Sequence, residues 1–518
     1  MRFWVLAAGG LMLAKAHTSG PAIVPIALVP LLLSLYAPVP TDGPPRRLAL
    51  QQTVLLSMFC YLFSGFQVWP AAEYGWMIFA AGLMYMALGG GLFGLLVHGF
   101  LRVQQRWLRV FGVATAWVLA DSTRTMSWWS YPMVLGGNLA EWPVMAQLAS
   151  VGGIWLLDAV VAVFAAMLAE AIELAATGER RRARRWALGA VALMVGVWGF
   201  GAVRMAWLPD GAWEWQPGAA TERPEDVWSF ALVQGGHPNW FFARATVSER
   251  LNDLVVDGTM TLVDDALASQ PWGEPPDFVV VAENAFGKSI AGGEEGLSHL
   301  GLLDRRPAAG SVLMVGATRD RETLDPENPV AIFENAFMVL EPGADGRLYI
   351  ADEVYKRQLV PFAESRYWRG QEHRPLRTPH GLLGVLICYE SIYPAITETL
   401  VDQEADVLLV VTNDAGLRRS YAPAIHARLG TLRSIESGRA MVHASQAGLT
   451  FFADASGRRT TGFDLFERGV LLGAVRRTPS FTLYSVTGRA WLLIYLAGWA
   501  LGLLVARRSV RMKANSVA

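Results

Sequence analysis

A thiol, a carboxylate and an ammonium group each stand where this sequence reads as the end of a strand. Cys388 ends Gly384-Val385-Leu386-Ile387-Cys388, and Ser391-Ile392-Tyr393-Pro394 opens a helix behind it. Such a strand-to-helix turn presents a side chain at a sheet edge, near backbone N–H groups that stabilise a thiolate or an oxyanion. Taken alone, Cys388 reads first as a buried structural cysteine, because free cysteine is among the most buried residue types. Two more run ends change that reading. Val279-Val280-Val281-Ala282 leads into Glu283, and Glu353-Val354-Tyr355 leads into Lys356, followed by Leu359-Val360-Pro361-Phe362-Ala363-Glu364. A nucleophilic thiol needs a base that takes its proton and returns it to a leaving group, for which Glu283 is a candidate. An ammonium beside both, for which Lys356 is a candidate, would stabilise the negative oxygen of a tetrahedral intermediate.

The elements that must position these groups are short apolar runs of the kind that form buried strands: Phe230–Val233, Phe278–Ala282, Val312–Val315, Gly384–Ile387 and Val407–Val411. Helices are expected between them at 245–268, 393–403 and 421–438, giving an α/β domain over 225–482. Its roughly 260 residues are enough for a real core. Apolar stretches near the length needed to cross a bilayer, about 20 residues, fill the preceding two hundred positions and recur once afterwards. Spans are read near 3–17, 21–37, 49–69, 76–100, 107–121, 145–172, 186–207 and 488–506. The expected organisation is thus a membrane domain over 1–209 with about seven transmembrane helices, a linker over 210–224 carrying Pro217, Glu222 and Pro224, the α/β domain, a C-terminal span and a tail over 507–518. Residues 1–16 also fit a signal peptide, through Arg2 and Ala14-Lys15-Ala16.

Basic residues cluster in alternate connections: Arg46-Arg47; Arg102, Arg106 and Arg109; Arg180 to Arg185; and Arg507, Arg508, Arg511 and Lys513. Because Lys- and Arg-rich loops stay in the cytoplasm, eight spans place both termini inside and the α/β domain outside. Composition agrees with a membrane protein: 53% of the 518 residues are hydrophobic and only 17% charged, against about 25% charged in ordinary soluble domains. The net charge of −1 supplies no field to attract nucleic acid. Two cysteines, Cys60 and Cys388, make neither a disulfide framework nor a thiolate metal site.

Glu283, Lys356 and Cys388, in that order at strand ends, resemble the Glu-Lys-Cys triad of the nitrilase (carbon-nitrogen hydrolase) superfamily. Tyr355-Lys356-Arg357-Gln358-Leu359-Val360-Pro361-Phe362-Ala363-Glu364 and Ile387-Cys388-Tyr389-Glu390 are similar to motifs of one branch, the bacterial apolipoprotein N-acyltransferases. The resemblance extends through Ala231-Leu232-Val233-Gln234-Gly235, Thr412-Asn413-Asp414-Ala415 and Arg433 to Arg439. It also reaches Pro143, Gln147 and Gly152 in the membrane part. It implies a multi-span α-helical membrane domain plus a nitrilase-like four-layer α-β-β-α sandwich on the periplasmic side of the inner membrane. It further implies transfer of an acyl chain from a phospholipid, through a thioester on Cys388, to the N-terminal amine of a diacylglyceryl-cysteine lipoprotein. In that scheme Glu283 is the base, Lys356 and the Tyr389 N–H hold the oxyanion, Glu364 keeps Lys356 charged and oriented, and Glu390 supports the site. No cofactor is implied. The sequence departs from the family in Ala282 where Pro is usual, in Asn284 after the base, and in Gly416-Leu417-Arg418 where Trp-Phe-Gly is usual. The 32-residue step from Lys356 to Cys388 is also shorter than usual.

Two other functions stay open at this point. A membrane-tethered amidase or nitrilase would let water discharge the thioester, and a transporter or scaffold would use the domain only to bind. Asp158, inside the sixth span, is expected to bond within the helix bundle or to relay protons. Asp121 and Arg124 are expected to pair or to meet lipid phosphate. Trp128, Trp129, Trp142, Trp207, Trp213 and Trp215 read as an interfacial belt. His237, His426 and His443 have no metal-ligand spacing, so no metal is expected. Gly89-Gly90-Gly91 reads as close helix packing rather than a phosphate loop.

Overall fold

A computed structural model describes residues 2–18, 21–37, 48–65, 76–126, 134–216, 224–321, 330–477 and 479–517. Arg46, Arg47, Trp128, Trp129, Pro217 and Glu222 lie outside the described residues. The chain divides into a helical unit, Met1–Trp207 with Val486–Ala518, and an α/β unit, Leu208–Ser485.

Among the described residues, four helices are long and apolar enough to cross a membrane: Trp76–Leu101, Ala149–Ala176, Arg180–Trp207 and Ala490–Ser509. Shorter apolar helices span Ala22–Tyr36 and Leu50–Ser64. Arg180–Trp207 buries only Ala183, Ala190, Val197 and Gly201, leaving Leu188, Val191, Val195 and Trp198 exposed, as suits a helix solvated by lipid. Gly90 and Gly94 pack Trp76–Leu101 closely against Leu50–Ser64. A methyl group on Gly90 would stand 2.6 Å from the Ser57 carbonyl oxygen, and one on Gly94 2.9 Å from Val54 Cα. Gly152 and Gly153 break the Ala149–Ala176 helix, Gly153 with φ +63°.

Buried charged residues in this unit are ion-paired or hydrogen-bonded, which offsets their desolvation. Asp121 and Arg124 form an ion pair within Arg106–Met126, and Asp158 accepts the Gly136 N–H at 2.6 Å. Arg109 meets Glu170 at 2.5 Å and Glu173 at 2.9 Å, and Arg106 meets the same two carboxylates. Trp142 and Trp207 are exposed.

The α/β unit contains twelve strands among the described residues: β1 Ala212–Glu214, β2 Val227–Gln234, β3 Phe278–Val281, β4 Val312–Asp320, β5 Phe333–Pro342, β6 Leu348–Tyr355, β7 Leu376–Thr378, β8 Gly381–Ile387, β9 Val407–Thr412, β10 Met441–Ser445, β11 Phe451–Ala453 and β12 Gly469–Arg476. They form a seven-stranded sheet, order β1-β12-β2-β3-β4-β5-β6, and a five-stranded sheet, order β11-β10-β9-β8-β7. Alternating side chains explain why the central strands read as unbroken apolar runs. Phe230, Leu232, Phe278, Val280, Val312 and Met314 face Leu383, Val385, Ile387, Val407, Leu409 and Val442 between the sheets. Their neighbours Ala231, Val233, Val279, Val281, Leu313 and Val315 pack with Met260, Val263, Ala266 and Leu297 on the outer face. Helices Pro394–Asp402 and Ala422–Ser437 pack against β8 and β10 of the other sheet.

The helix expected over 245–268 is two, Asn239–Ala245 and Glu249–Ala268, because Ser248 caps the second by accepting the Leu251 N–H. Within the expected linker, Ala212–Glu214 pairs antiparallel with β12. β5 opens on the polar pair Glu334 and Asn335, which hides it among the apolar runs, whereas β6 ends at Tyr355, where a strand end before Lys356 is expected.

Candidate active site

Chain direction sets the site. β2, β3 and β4 run parallel, as do β8, β9 and β10, so the C-terminal ends within each set share an edge. β6 returns antiparallel to β5, itself antiparallel to β4, so it ends at the same edge as β3 and β4. Glu283 follows β3, Lys356 follows β6, Cys388 follows β8 and Asn413 follows β9.

Glu283 is 3% exposed and Lys356 1% exposed. Lys356 Nζ donates to Glu283 Oε1 at 3.1 Å and to Glu364 Oε1 at 2.7 Å. Glu283 Oε1 also accepts Asn335 Nδ2 at 2.7 Å, and its Oε2 accepts the Asn413 N–H at 2.8 Å. Gly316 of β4 makes room for this backbone, since a methyl group there would lie 2.9 Å from Glu283 Cα. Glu364 Oε2 accepts the Val360 N–H at 2.7 Å, so Glu364 grips the loop as well as the ammonium. The Lys356 backbone is held in turn, its N–H on the Asn335 carbonyl and its carbonyl under the Gly370 N–H.

Burial alone would strip the Lys356 proton, yet Cys388, Glu283 and Glu364 hold that ammonium well above its ordinary pKa. Burial raises Glu364 above the usual carboxylate range against the pull of Lys356. Cys388 is half-buried, packs beside the inter-sheet core and has φ +50°. Its thiol is pushed well up, by burial first and then by the Glu283 charge, while Lys356 pulls the other way. The resting group is therefore a thiol that needs a base, rather than a preformed thiolate. Alkylation of Cys388 by iodoacetamide should be slow at neutral pH and climb through pH 9 without a plateau. Glu283→Gln should speed it, since that change removes a charge opposing ionisation. Rates measured against pH check both signs, and a plateau below pH 8 would refute them.

Glu390 acts as a buckle. Its Oε1 accepts the Arg357 N–H at 2.8 Å, the Gln358 N–H at 3.0 Å and His373 Nε2 at 3.1 Å, and its Oε2 accepts the Ile387 N–H at 3.0 Å. It thereby ties the Lys356 loop to the Cys388 turn. Against burial, which would raise it, these bonds hold its carboxyl below the usual range. Tyr389 stacks edge-on against Tyr393, ring centroids 5.3 Å apart.

Asn335, on a strand that does not read as an apolar run, carries no signal in the sequence, and neither does the Asn413 backbone N–H, which has no side-chain signature. Asn284 has φ +47° and accepts Thr318 Oγ1 at 2.5 Å. Among the described residues, no group of three or more His, Cys, Asp or Glu side chains is placed to hold a metal ion.

A buried carboxylate-ammonium pair beside a thiol at the strand ends of a two-sheet sandwich defines a domain of the carbon-nitrogen hydrolase class. That family's model matches residues 290–478, a stretch holding Lys356, Glu364 and Cys388, with Glu283 just before it. The model described as apolipoprotein N-acyltransferase N-terminal domain matches residues 7–167 of the helical unit. Together the two matches support the apolipoprotein N-acyltransferase family. It is 29% identical to the apolipoprotein N-acyltransferase of Azotobacter vinelandii, over 98% of this chain and 95% of that one. With the protein of the same name from Pseudomonas syringae pv. tomato it shares 29% identity over 79% of this chain and 78% of that one. Among solved structures, an amidase from Nesterenkonia sp. aligns at 19% identity and a TM-score of 0.38, covering 54% of this chain and 99% of that chain.

Proposed function

We propose that this protein moves an acyl chain from a phospholipid to the N-terminal amine of a diacylated lipoprotein through a thioester on Cys388. The observation that carries the reading is the Lys356 ammonium held between Glu283 and Glu364 at the strand ends where Cys388 turns, in a chain with membrane-length apolar helices. Glu283 takes the thiol proton as Sγ attacks the ester carbonyl, and the oxyanion is held by Lys356 and the Tyr389 N–H. Glu283 returns the proton to the departing lysophospholipid oxygen. In the second half Glu283 takes a proton from the incoming α-amine, the amine attacks the thioester, and Cys388 leaves and is reprotonated. The product is an amide.

The same proposal puts about seven spans before the catalytic unit and one after it, in a bacterial inner membrane with that unit on the periplasmic side. Packing within the helical unit supports this. Arg106 and Arg109 meet Glu170 and Glu173 near the end of the Ala149–Ala176 helix, three residues or so before the Arg180–Arg185 run. Ala506, which precedes Arg507, packs with Phe100, Val103 and Leu108. Three basic clusters thus share one end, the cytoplasmic end by the usual charge bias. Trp207 and Ala490, where the chain leaves and re-enters the helical unit, are the opposite ends of their helices.

A long-chain phospholipid should add one acyl mass to Cys388. A diacylated lipopeptide with a free N-terminal amine should then discharge it as an amide, whereas the amine-blocked lipopeptide leaves the thioester standing. The short Lys356–Cys388 step and the Gly416-Leu417-Arg418 rim favour a second reading, a membrane-tethered amidase. Discharge by water at the same rate without amine would select that reading and sink the first.

A further inference from the structure

His426, Asp414 and Ser391 form a buried polar cluster directly behind the nucleophile, and the proposed chemistry does not use it. His426 is 7%, Asp414 2% and Ser391 0% exposed. His426 Nε2 lies 2.9 Å from the Cys388 carbonyl oxygen and 2.8 Å from Ser391 Oγ, and Ser391 Oγ donates to the same carbonyl at 3.0 Å. On the other side His426 Nδ1 lies 3.1 Å from Asp414 Oδ1, which Thr412 Oγ1 holds at 3.0 Å. The residue types are those of a serine hydrolase, but a fully buried Ser391 meets no substrate. What the cluster grips is backbone.

A carbonyl has no proton to give, so His426 Nε2 carries one, and a carboxylate facing Nδ1 calls for a second. The ring is then an imidazolium. Its ordinary pKa is raised by Asp414 against the cost of burial. Neighbouring His443 donates Nδ1–H to the Leu449 carbonyl at 2.8 Å and stays neutral, pushed down to about 3 by burial and by His426. The Cys388 carbonyl therefore receives a charge-assisted bond as well as a hydroxyl bond.

That grip matters because of where Cys388 sits. A non-glycine residue at φ +50° is strained and persists only where its surroundings hold it. The Cys388 carbonyl and the Tyr389 N–H belong to one planar trans peptide, so they point opposite ways. Holding one aims the other.

We propose that Asp414, His426 and Ser391 are positioning residues, a clamp on the Cys388 carbonyl that aims the Tyr389 N–H at the oxyanion formed when Cys388 is acylated. The inference rests on the proposed acylation of Cys388. It predicts a split between two reactions of the same sulfur. Acylation passes through an oxyanion and needs the aimed N–H; alkylation by iodoacetamide is a direct displacement and does not. His426→Gln should slow thioester formation about a hundredfold, the effect of losing one oxyanion donor. Ser391→Ala, which removes one hydrogen bond, should slow it about tenfold. Alkylation should change less than about threefold in either variant, the separation expected if only the oxyanion donor is lost.

The test measures single-turnover acylation of Cys388 by mass, with a long-chain phospholipid and separately with a p-nitrophenyl acyl ester, alongside iodoacetamide alkylation of the same proteins. Thermal unfolding of each variant shows whether it folds, and if His426→Gln does not, Ser391→Ala decides alone. Acylation and alkylation falling together would make the cluster a support for fold or thiol and overturn the proposal, as would unchanged acylation. Wild-type protein acylated by the activated ester but not by phospholipid would end the phospholipid reading while the variants still judge the clamp. Wild-type protein acylated by neither would overturn both.

Discussion

A Cys388→Ala protein should fold, insert and transfer no acyl chain above background. Cys388 is the sole thiol of the α/β unit, the other cysteine being Cys60 in the Leu50–Ser64 helix, so no second sulfur can take its place. The fold should tolerate the change. Alanine occupies the same left-handed conformation at a similar cost, and the carbonyl that His426 and Ser391 hold is unchanged by it. Cys388→Ser should fail almost as completely. The environment that raises the thiol acts on a hydroxyl that starts many units less acidic, and a carboxylate base is then badly mismatched to it. Mass spectra after incubation with phospholipid, with thermal unfolding as the control, decide the point. Full turnover in folded Cys388→Ala would remove the covalent mechanism altogether.

How far the sequence reaches into this site follows from the physics of each part. Phe278–Val281 and Val407–Thr412 are covered on both faces, so they read as continuous apolar runs, and the polar residue ending each run announces itself. That is why Glu283 and, after the equally apolar β8, Cys388 can be picked out before any fold is known. β6 is an edge strand; its partly exposed, charged pattern leaves only its end, Glu353-Val354-Tyr355 before Lys356, legible as strand. Without β5 there is no signal for Asn335, whose place beside Glu283 depends on the register that sets Ala336 opposite Tyr355. The Asn413 contribution is a backbone N–H, which any residue but proline offers. His426 offers the sequence no more than the absence of a metal-ligand spacing. Its partners, a carbonyl and two residues on separate elements, leave no spacing to detect.

Asn284 and Gly316 show a related limit. Asn284 departs from the family pattern directly after Glu283, and its positive φ is one that asparagine tolerates better than most residues. Its side chain is tied to Thr318 on β4. The neighbouring β4 glycine admits the Glu283 backbone at a distance no side chain would allow. The departure is thus accommodated by the strand beside it, and Glu283 keeps its contacts with Lys356, Asn335 and Asn413.

Lys356→Met should cost the second-largest loss, at least about a hundredfold in acylation rate, since it removes a donor aimed at the developing oxyanion. Stability should fall too, because Glu283 and Glu364 would face each other buried without the ammonium between them. Removing one partner of a buried ion pair costs about 3–5 kcal/mol. The pH dependence then has a definite sign. Glu364 already lies above the ordinary carboxylate range, with Lys356 pulling it down, so losing Lys356 raises it further. A carboxyl raised in the folded state binds its proton more tightly there than in the unfolded chain. The variant is therefore least handicapped below about pH 4, the unfolded carboxyl range, and the handicap grows as pH rises through the folded value. Adding Glu364→Gln removes one of the two opposed charges and should recover much of that stability while recovering none of the acylation. Thermal unfolding and single-turnover acylation of the single and double variants separate the two roles. Recovery of acylation in the double variant would show that Lys356 serves only to neutralise buried carboxylates and takes no part in holding the oxyanion.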